Sequence, residues 1–147
     1  MNAMDVIRVD VRRCGATLDG GGMYILNDMS HLSFHDVQLT SCSAVSGSGG
    51  GIYVGERVSS VALSNSTLKN CSAGVSGGGL FAKFTAGVVL EHTGIEDCEA
   101  HTGSGGAVQL DASNNRFVLY RCTLQQNQAA TSGGGIHSGD TNLNVHI

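Results

Sequence analysis

Cys14, Cys42, Cys71 and Cys98 recur at steps of about 28 residues, each inside an apolar-x-x-Cys-x-Ala stretch. Thiols recurring at a fixed spacing could form disulfides or a strip of soft metal ligands; the plainer reading is a small buried residue stacked upon itself. A second set, Tyr24, Tyr53, Phe81, Gln109 and His137, recurs with the same step. Aromatic side chains aligned on a surface could bind the faces of sugar rings or a protein partner, or stabilise a sheet by stacking across strands. This aromatic column is the leading candidate for a ligand or partner site. The acids do not align: Asp36, Glu56, Glu91, Asp111 and Asp140 occupy unmatched positions, and only Glu96-Asp97-x-Glu99 is dense. Glycoside hydrolysis needs two carboxylates facing one groove, and lyase chemistry needs calcium-binding acids beside a basic residue, so no catalytic residues are expected.

The positions of these residues depend on a repeat. Asp19-Gly-Gly-Gly-Met23, Ser48-Gly-Gly-Gly-Ile52, Ser76-Gly-Gly-Gly-Leu80, Ser104-Gly-Gly-Ala-Val108 and Ser132-Gly-Gly-Gly-Ile136 follow one another at that step too. Such a period marks an architecture built by stacking one supersecondary unit. Apolar pairs at i and i+2 recur with it, at Met4/Val6, Leu32/Phe34, Val61/Leu63, Val88/Leu90, Phe117/Leu119 and Val145/Ile147. Residues at i and i+2 share one side of an extended chain, so each pair is the inner face of a short strand. The apolar-x-x-Cys-x-Ala stretch and the residues after the glycines supply two further strand-like pieces. Three extended pieces per period, without helical periodicity or two-residue hairpin turns, predict an all-β, right-handed parallel β-helix, a three-sided solenoid. The coils are read as 4–31, 32–60, 61–87, 88–116 and 117–144, one domain, with 145–147 beginning another. One-residue differences in length are placed in corners such as Gly55-Glu-Arg57, Lys83-Phe-Thr85 and 111–115. Ala107, in place of a third glycine, indicates that this position requires smallness more than a positive φ.

On this framework the cysteines form a structural column. Adjacent rungs about 4.8 Å apart hold parallel Cβ atoms too far apart for the usual disulfide, and spacing of this kind matches no zinc site, so neither metal nor cofactor is expected. Cys122 falls in a different column, with Val37, Ser66 and Thr93. The histidines are scattered; His92 aligns with Asn65 and Arg121. Asn65-Ser-Thr67 and Asn70-Cys-Ser72 are acceptor sequences for N-linked glycans that chance also supplies. With 8 basic against 12 acidic residues and a formal charge of −4, nothing supplies a basic footprint for nucleic acid. No apolar run approaches the length of a membrane span, and the first residues do not form a signal peptide.

Leu124-Gln-Gln-Asn127 and Gly105-Gly-Ala-Val108 carry a resemblance. They are similar to the Phe-x-x-Asn and Gly-Gly-Ala-(Ile/Leu/Val) repeats of the chlamydial polymorphic outer-membrane proteins, with Cys14, Cys42, Cys71 and Cys98 standing where that family has Asn. The resemblance implies a secreted or surface-displayed passenger used in adhesion, with no catalytic residues to carry over. The function expected is thus a non-catalytic structural and adhesive module, extracellular or at the cell surface as part of a longer precursor. Its partners would be flanking repeats or further copies at its uncapped ends, or a glycan or surface protein along a strand face. The alternative is a carbohydrate-binding or pectate-lyase-like protein of the same fold.

Overall fold

A computed structural model describes residues 2–26, 28–83, 85–111, 116–139 and 144–147. The chain winds through successive coils, and every strand pairs in parallel with its equivalent one period away. The first sheet stacks β1 (Ala3–Ile7), β5 (His31–His35), β9 (Ser60–Ser64), β13 (Gly87–Glu91), β17 (Arg116–Tyr120) and β21 (Asn144–His146). The second stacks β2 (Asp10–Arg12), β6 (Gln38–Thr40), β10 (Thr67–Lys69), β14 (Gly94–Glu96) and β18 (Thr123–Gln125). The third is narrow, with β3 (Gly15–Ala16), β7 (Ser43–Ala44), β11 (Ser72–Ala73), β15 (Glu99–Ala100) and β19 (Gln128–Ala129). The fourth stacks β4 (Met23–Ile25), β8 (Ile52–Val54), β12 (Leu80–Lys83), β16 (Val108–Asp111) and β20 (Ile136–Ser138).

The expected parallel β-solenoid of about five coils is the observed architecture. Its apolar pairs are the inner ladders: Leu32 pairs with Val61, Val61 with Val88 and Val88 with Phe117, all fully buried. The expected corner at 112–115, Phe84, Asp140 and the side chain of Val145, which was expected to face inward, lie outside the described residues.

The coil differs from expectation in having four strands rather than three. The apolar-x-x-Cys-x-Ala stretch is not one piece: Arg13, Ser41, Asn70, Asp97 and Gln126 adopt φ of 52–56° and split it. Arg8, Asp36, Asn65, His92 and Arg121 form an equivalent left-handed column one corner earlier, with φ of 46–54°. A left-handed residue breaks the alternation of the pleat, so an inward side chain is followed by the next inward one three positions on. Phe34, Val37, Leu39, Cys42 and Ala44 are consequently all buried, across two corners.

The glycine triplet divides its work. Gly20, Gly49, Gly77, Gly105 and Gly133 have φ of 60–70°, a conformation that L side chains rarely adopt. The second glycine sits against backbone. A Cβ on Gly78 would lie 2.5 Å from the Gly106 carbonyl oxygen and 2.6 Å from the Glu99 nitrogen and oxygen. The third accepts a methyl at Ala107, which is fully buried. Smallness rather than positive φ is therefore its requirement, as the sequence indicated.

Candidate functional site

The aromatic column is built by the fourth sheet. Register places Tyr24 beside Tyr53, Tyr53 beside Phe81, Phe81 beside Gln109 and Gln109 beside His137. The left-handed glycine before each strand folds beneath it, and a Cβ on Gly49 would meet the Tyr53 Cα at 2.8 Å. The Tyr24 and Tyr53 rings stack at 5.1 Å between centroids, and so do those of Tyr53 and Phe81, whose planes differ by 7°. This changes the expected surface ridge. Tyr24 is 50% exposed, but Tyr53, Phe81 and Gln109 retain only 9%, 8% and 6%. Each inner ring spends its faces on its neighbours, so neither Tyr53 nor Phe81 offers an open face to a sugar. Burial, reinforced by the charge of Asp19, pushes the Tyr53 hydroxyl up to about 12. The column ends in polar contacts: Gln109 Nε2 donates to the Leu110 carbonyl at 3.3 Å and its Oε1 lies 3.0 Å from His137 Nδ1. The exposed Tyr24 ring lines a cleft of about 230 Å³ with Leu18 and Asp19.

The cysteine column lines the second corner. All five cysteines are free thiols, with Cys42, Cys71 and Cys98 buried and Cys14 and Cys122 partly so. Each thiol of the column donates back to the carbonyl two positions earlier: Cys14 to Arg12 at 3.6 Å, Cys42 to Thr40 at 3.7 Å, Cys71 to Lys69 at 3.5 Å and Cys98 to Glu96 at 3.3 Å. Three of them also reach a carbonyl of the preceding coil, as Cys98 does to Leu68 at 3.7 Å. Asn127 continues the column with a stronger version. Its Nδ2 donates to Ile95 O at 2.8 Å and its Oδ1 accepts from the Cys98 N–H at 2.9 Å.

The hydrogen bond with Cys71, then burial, push the Cys42 thiol upward. In Cys71 the bond with Cys42 acts downward, but the Cys98 contact and burial outweigh it and push the thiol up to about 12. Cys98 is shifted the other way by its bond with Cys71, against burial. All three side chains are out of water, and a thiolate there would lose its hydration, which favours neutral thiols along the column. Cys122 belongs, as expected, with Val37, Ser66 and Thr93. That column serves the first corner in the same way: Ser66 Oγ donates to Ser64 O at 2.8 Å and Thr93 Oγ1 to Glu91 O at 2.9 Å.

The outer face of the first sheet carries a cluster that sequence reasoning missed. His31 Nδ1 lies 2.6 Å from Ser60 Oγ, His35 Nδ1 lies 2.8 Å from Ser64 Oγ, and the Ser33 hydroxyl donates to Asp5. His35 Nε2 is 3.4 Å from Asp36 Oδ2. Extending the repeat register to the polar positions would have found both His–Ser pairs, because each spans one period of the repeat. Ser64, His35 and Asp36 thus touch in a chain of the kind that activates serine. The imidazole is exposed, however, and the backbone N–H groups of this sheet serve its ladder. The geometry suits hydrogen bonding to ligand hydroxyls better than stabilising an oxyanion. Several acids pair with basic side chains, two of them across one coil. Glu96 meets Lys69 at 3.3 Å, Glu56 meets Lys83 at 3.3 Å and Glu99 meets His101 at 3.3 Å. Among the described residues no group of three or more His, Cys, Asp or Glu side chains is placed to hold a metal ion, and no helix is long and apolar enough to cross a membrane.

Over residues 2–147 the sequence matches the family described as right handed beta helix region. No curated protein and no solved structure matches it.

Proposed function

The chain belongs to the right-handed β-helix family, and from that premise we propose that it is a non-catalytic structural and adhesive module, displayed outside the cell or on its surface as part of a longer protein. The observation that carries this reading is the use of side chains along the axis. Tyr24, Tyr53 and Phe81 stack on one another, and His31 and His35 bond to Ser60 and Ser64 one coil away. Polar and aromatic groups are invested in joining coils, and the stacked strands form continuous sheet faces along which a partner can lie. Flanking repeats or further copies would pair with the outer edges of the terminal coils, where parallel strands offer backbone donors and acceptors.

One observation favours a second reading, a protein that binds or cleaves a polysaccharide along a strand face. Asp5, His31, Ser33, His35 and Ser64 present donors and acceptors together on the outer face of the first sheet. A pull-down against insoluble and immobilised polysaccharides, with released sugar assayed in the supernatant, separates the two readings. Binding without product supports the adhesive module, and loss of binding in a Tyr24→Ser or a His35→Ala variant assigns the face. Released sugar overturns the non-catalytic reading.

A further inference from the structure

We propose that Asn65 and Asn70 are acceptor sites for N-linked oligosaccharide, and that the two glycans flank one face of the solenoid. The triplets Asn65-Ser-Thr67 and Asn70-Cys-Ser72 lie in the same coil, at either end of β10. The fold places both asparagines at exposed corners with φ of 48° and 52°. The left-handed conformation accounts for asparagine at these corners, since Asn tolerates it better than most residues. It does not account for a hydroxyl two positions later. At the same corners the other coils have Arg8-x-Asp10, Asp36-x-Gln38, His92-x-Gly94 and Arg121-x-Thr123, or Arg13-x-Gly15, Ser41-x-Ser43, Asp97-x-Glu99 and Gln126-x-Gln128. The coil from Ser60 alone combines the asparagine with the hydroxyl, and it does so at both corners. Thr67 is exposed and Ser72 partly so.

The corners are held by backbone, not by the asparagine side chains. Asn65 N–H donates to Glu91 O and Asn70 N–H to Glu96 O, each at 3.0 Å. A bulky substituent on either carboxamide therefore projects into water without breaking a rung. Glycans at the two ends of this short strand would cover the outer face of the second sheet around Lys69 and leave the first and fourth sheets open to partners. The inference rests on the extracytoplasmic location in the proposed function, and fractionation of the cells that make the protein tests that location separately.

The experiment is translation of the full chain behind a cleavable signal peptide in the presence of microsomes, read on protease-protected chains before and after peptide N-glycosidase. Two mobility steps are expected, both removed by the enzyme. One step should remain in Asn65→Gln or Thr67→Ala, the other in Asn70→Gln or Ser72→Ala, and none in the double variant. The glycosylated and enzyme-treated proteins should then share one far-UV spectrum and one urea midpoint. Protected chains without any step overturn the proposal. A single step overturns it for the site that does not respond, and a lower midpoint in the glycosylated form overturns the claim that these corners accept a substituent freely.

Discussion

Replacing Gly78 by Ala should destabilise the solenoid severely, whereas the same change at Gly135 should be neutral or slightly stabilising. A methyl on Gly78 meets the Gly106 oxygen at 2.5 Å and the Glu99 nitrogen and oxygen at 2.6 Å, whereas one on Gly135 meets nothing within 4 Å. All three contacts at Gly78 are backbone. No flexible side chain can swing aside to relieve them, so the Gly106 carbonyl itself must move away from the coil below. The rung there is held by Gly78 N–H to Gly105 O and Gly79 N–H to Gly106 O, both at 3.2 Å, so the displacement strains bonds that are already long. Overpacking costs roughly 1–3 kcal/mol, and weakening two such bonds adds about 0.5–1.5 kcal/mol each. The lower entropy of an unfolded alanine offsets only about 0.4–1 kcal/mol. The net loss is on the order of 3 kcal/mol, within a span of about 1–5 kcal/mol, and the Gly135 variant keeps the offset alone. Urea unfolding followed by far-UV circular dichroism should show the Gly78→Ala midpoint lower by about 1–3 M, with Gly135→Ala at or above wild type. Midpoints are the quantity to compare, because stacked repeats can depart from two-state unfolding. Equal midpoints for wild type and Gly78→Ala, or an equal fall in both variants, would refute the reasoning that backbone contact at the second glycine fixes the coil.

Asn127→Ala removes the bonds to Ile95 O and from the Cys98 N–H, which should lower stability by about 1–3 kcal/mol in the same unfolding experiment. Tyr53→Ala deletes the middle ring of the stack and should cost about 1–3 kcal/mol through the two lost ring contacts alone, with Tyr24→Ala costing less because one face of its ring is already in water. In a disulfide-exchange assay at about pH 8, Cys14 and Cys122 should react in the native protein, and Cys42, Cys71 and Cys98 only after unfolding. The raised thiols also set a pH dependence. With the unfolded value at about 8.5 and the folded Cys71 value about 12, this contribution to stability is complete below roughly pH 8.5 and is lost as the pH rises toward 12. Thermal melts from neutral to strongly alkaline pH should show a falling midpoint, and a shallower fall in Cys71→Ala.

The period of about 28 residues, the inner apolar ladders and the alignment of Tyr24, Tyr53, Phe81, Gln109 and His137 were all determined by the sequence alone. In a parallel stack each residue's neighbour is its own equivalent one repeat away, so register follows from counting. The four-strand coil was present in the three-position steps from Phe34 to Val37 and from Leu39 to Cys42, but propensity hid it, because Arg8, Arg13, Ser41, Arg121 and Gln126 are not residues that announce a left-handed corner. The His31–Ser60 and His35–Ser64 pairs follow from the same counting, because each joins two residues one period apart on the outer face of the first sheet. Only the tertiary structure decided which side chains remain open. Tyr53 and Phe81 project outward as alternation requires, yet stacking at 5.1 Å covers them with each other, while the Tyr24 ring keeps a face in water. Alternation fixes the side of the sheet on which a residue lies, whereas exposure depends on how the neighbouring rings fill the space above it.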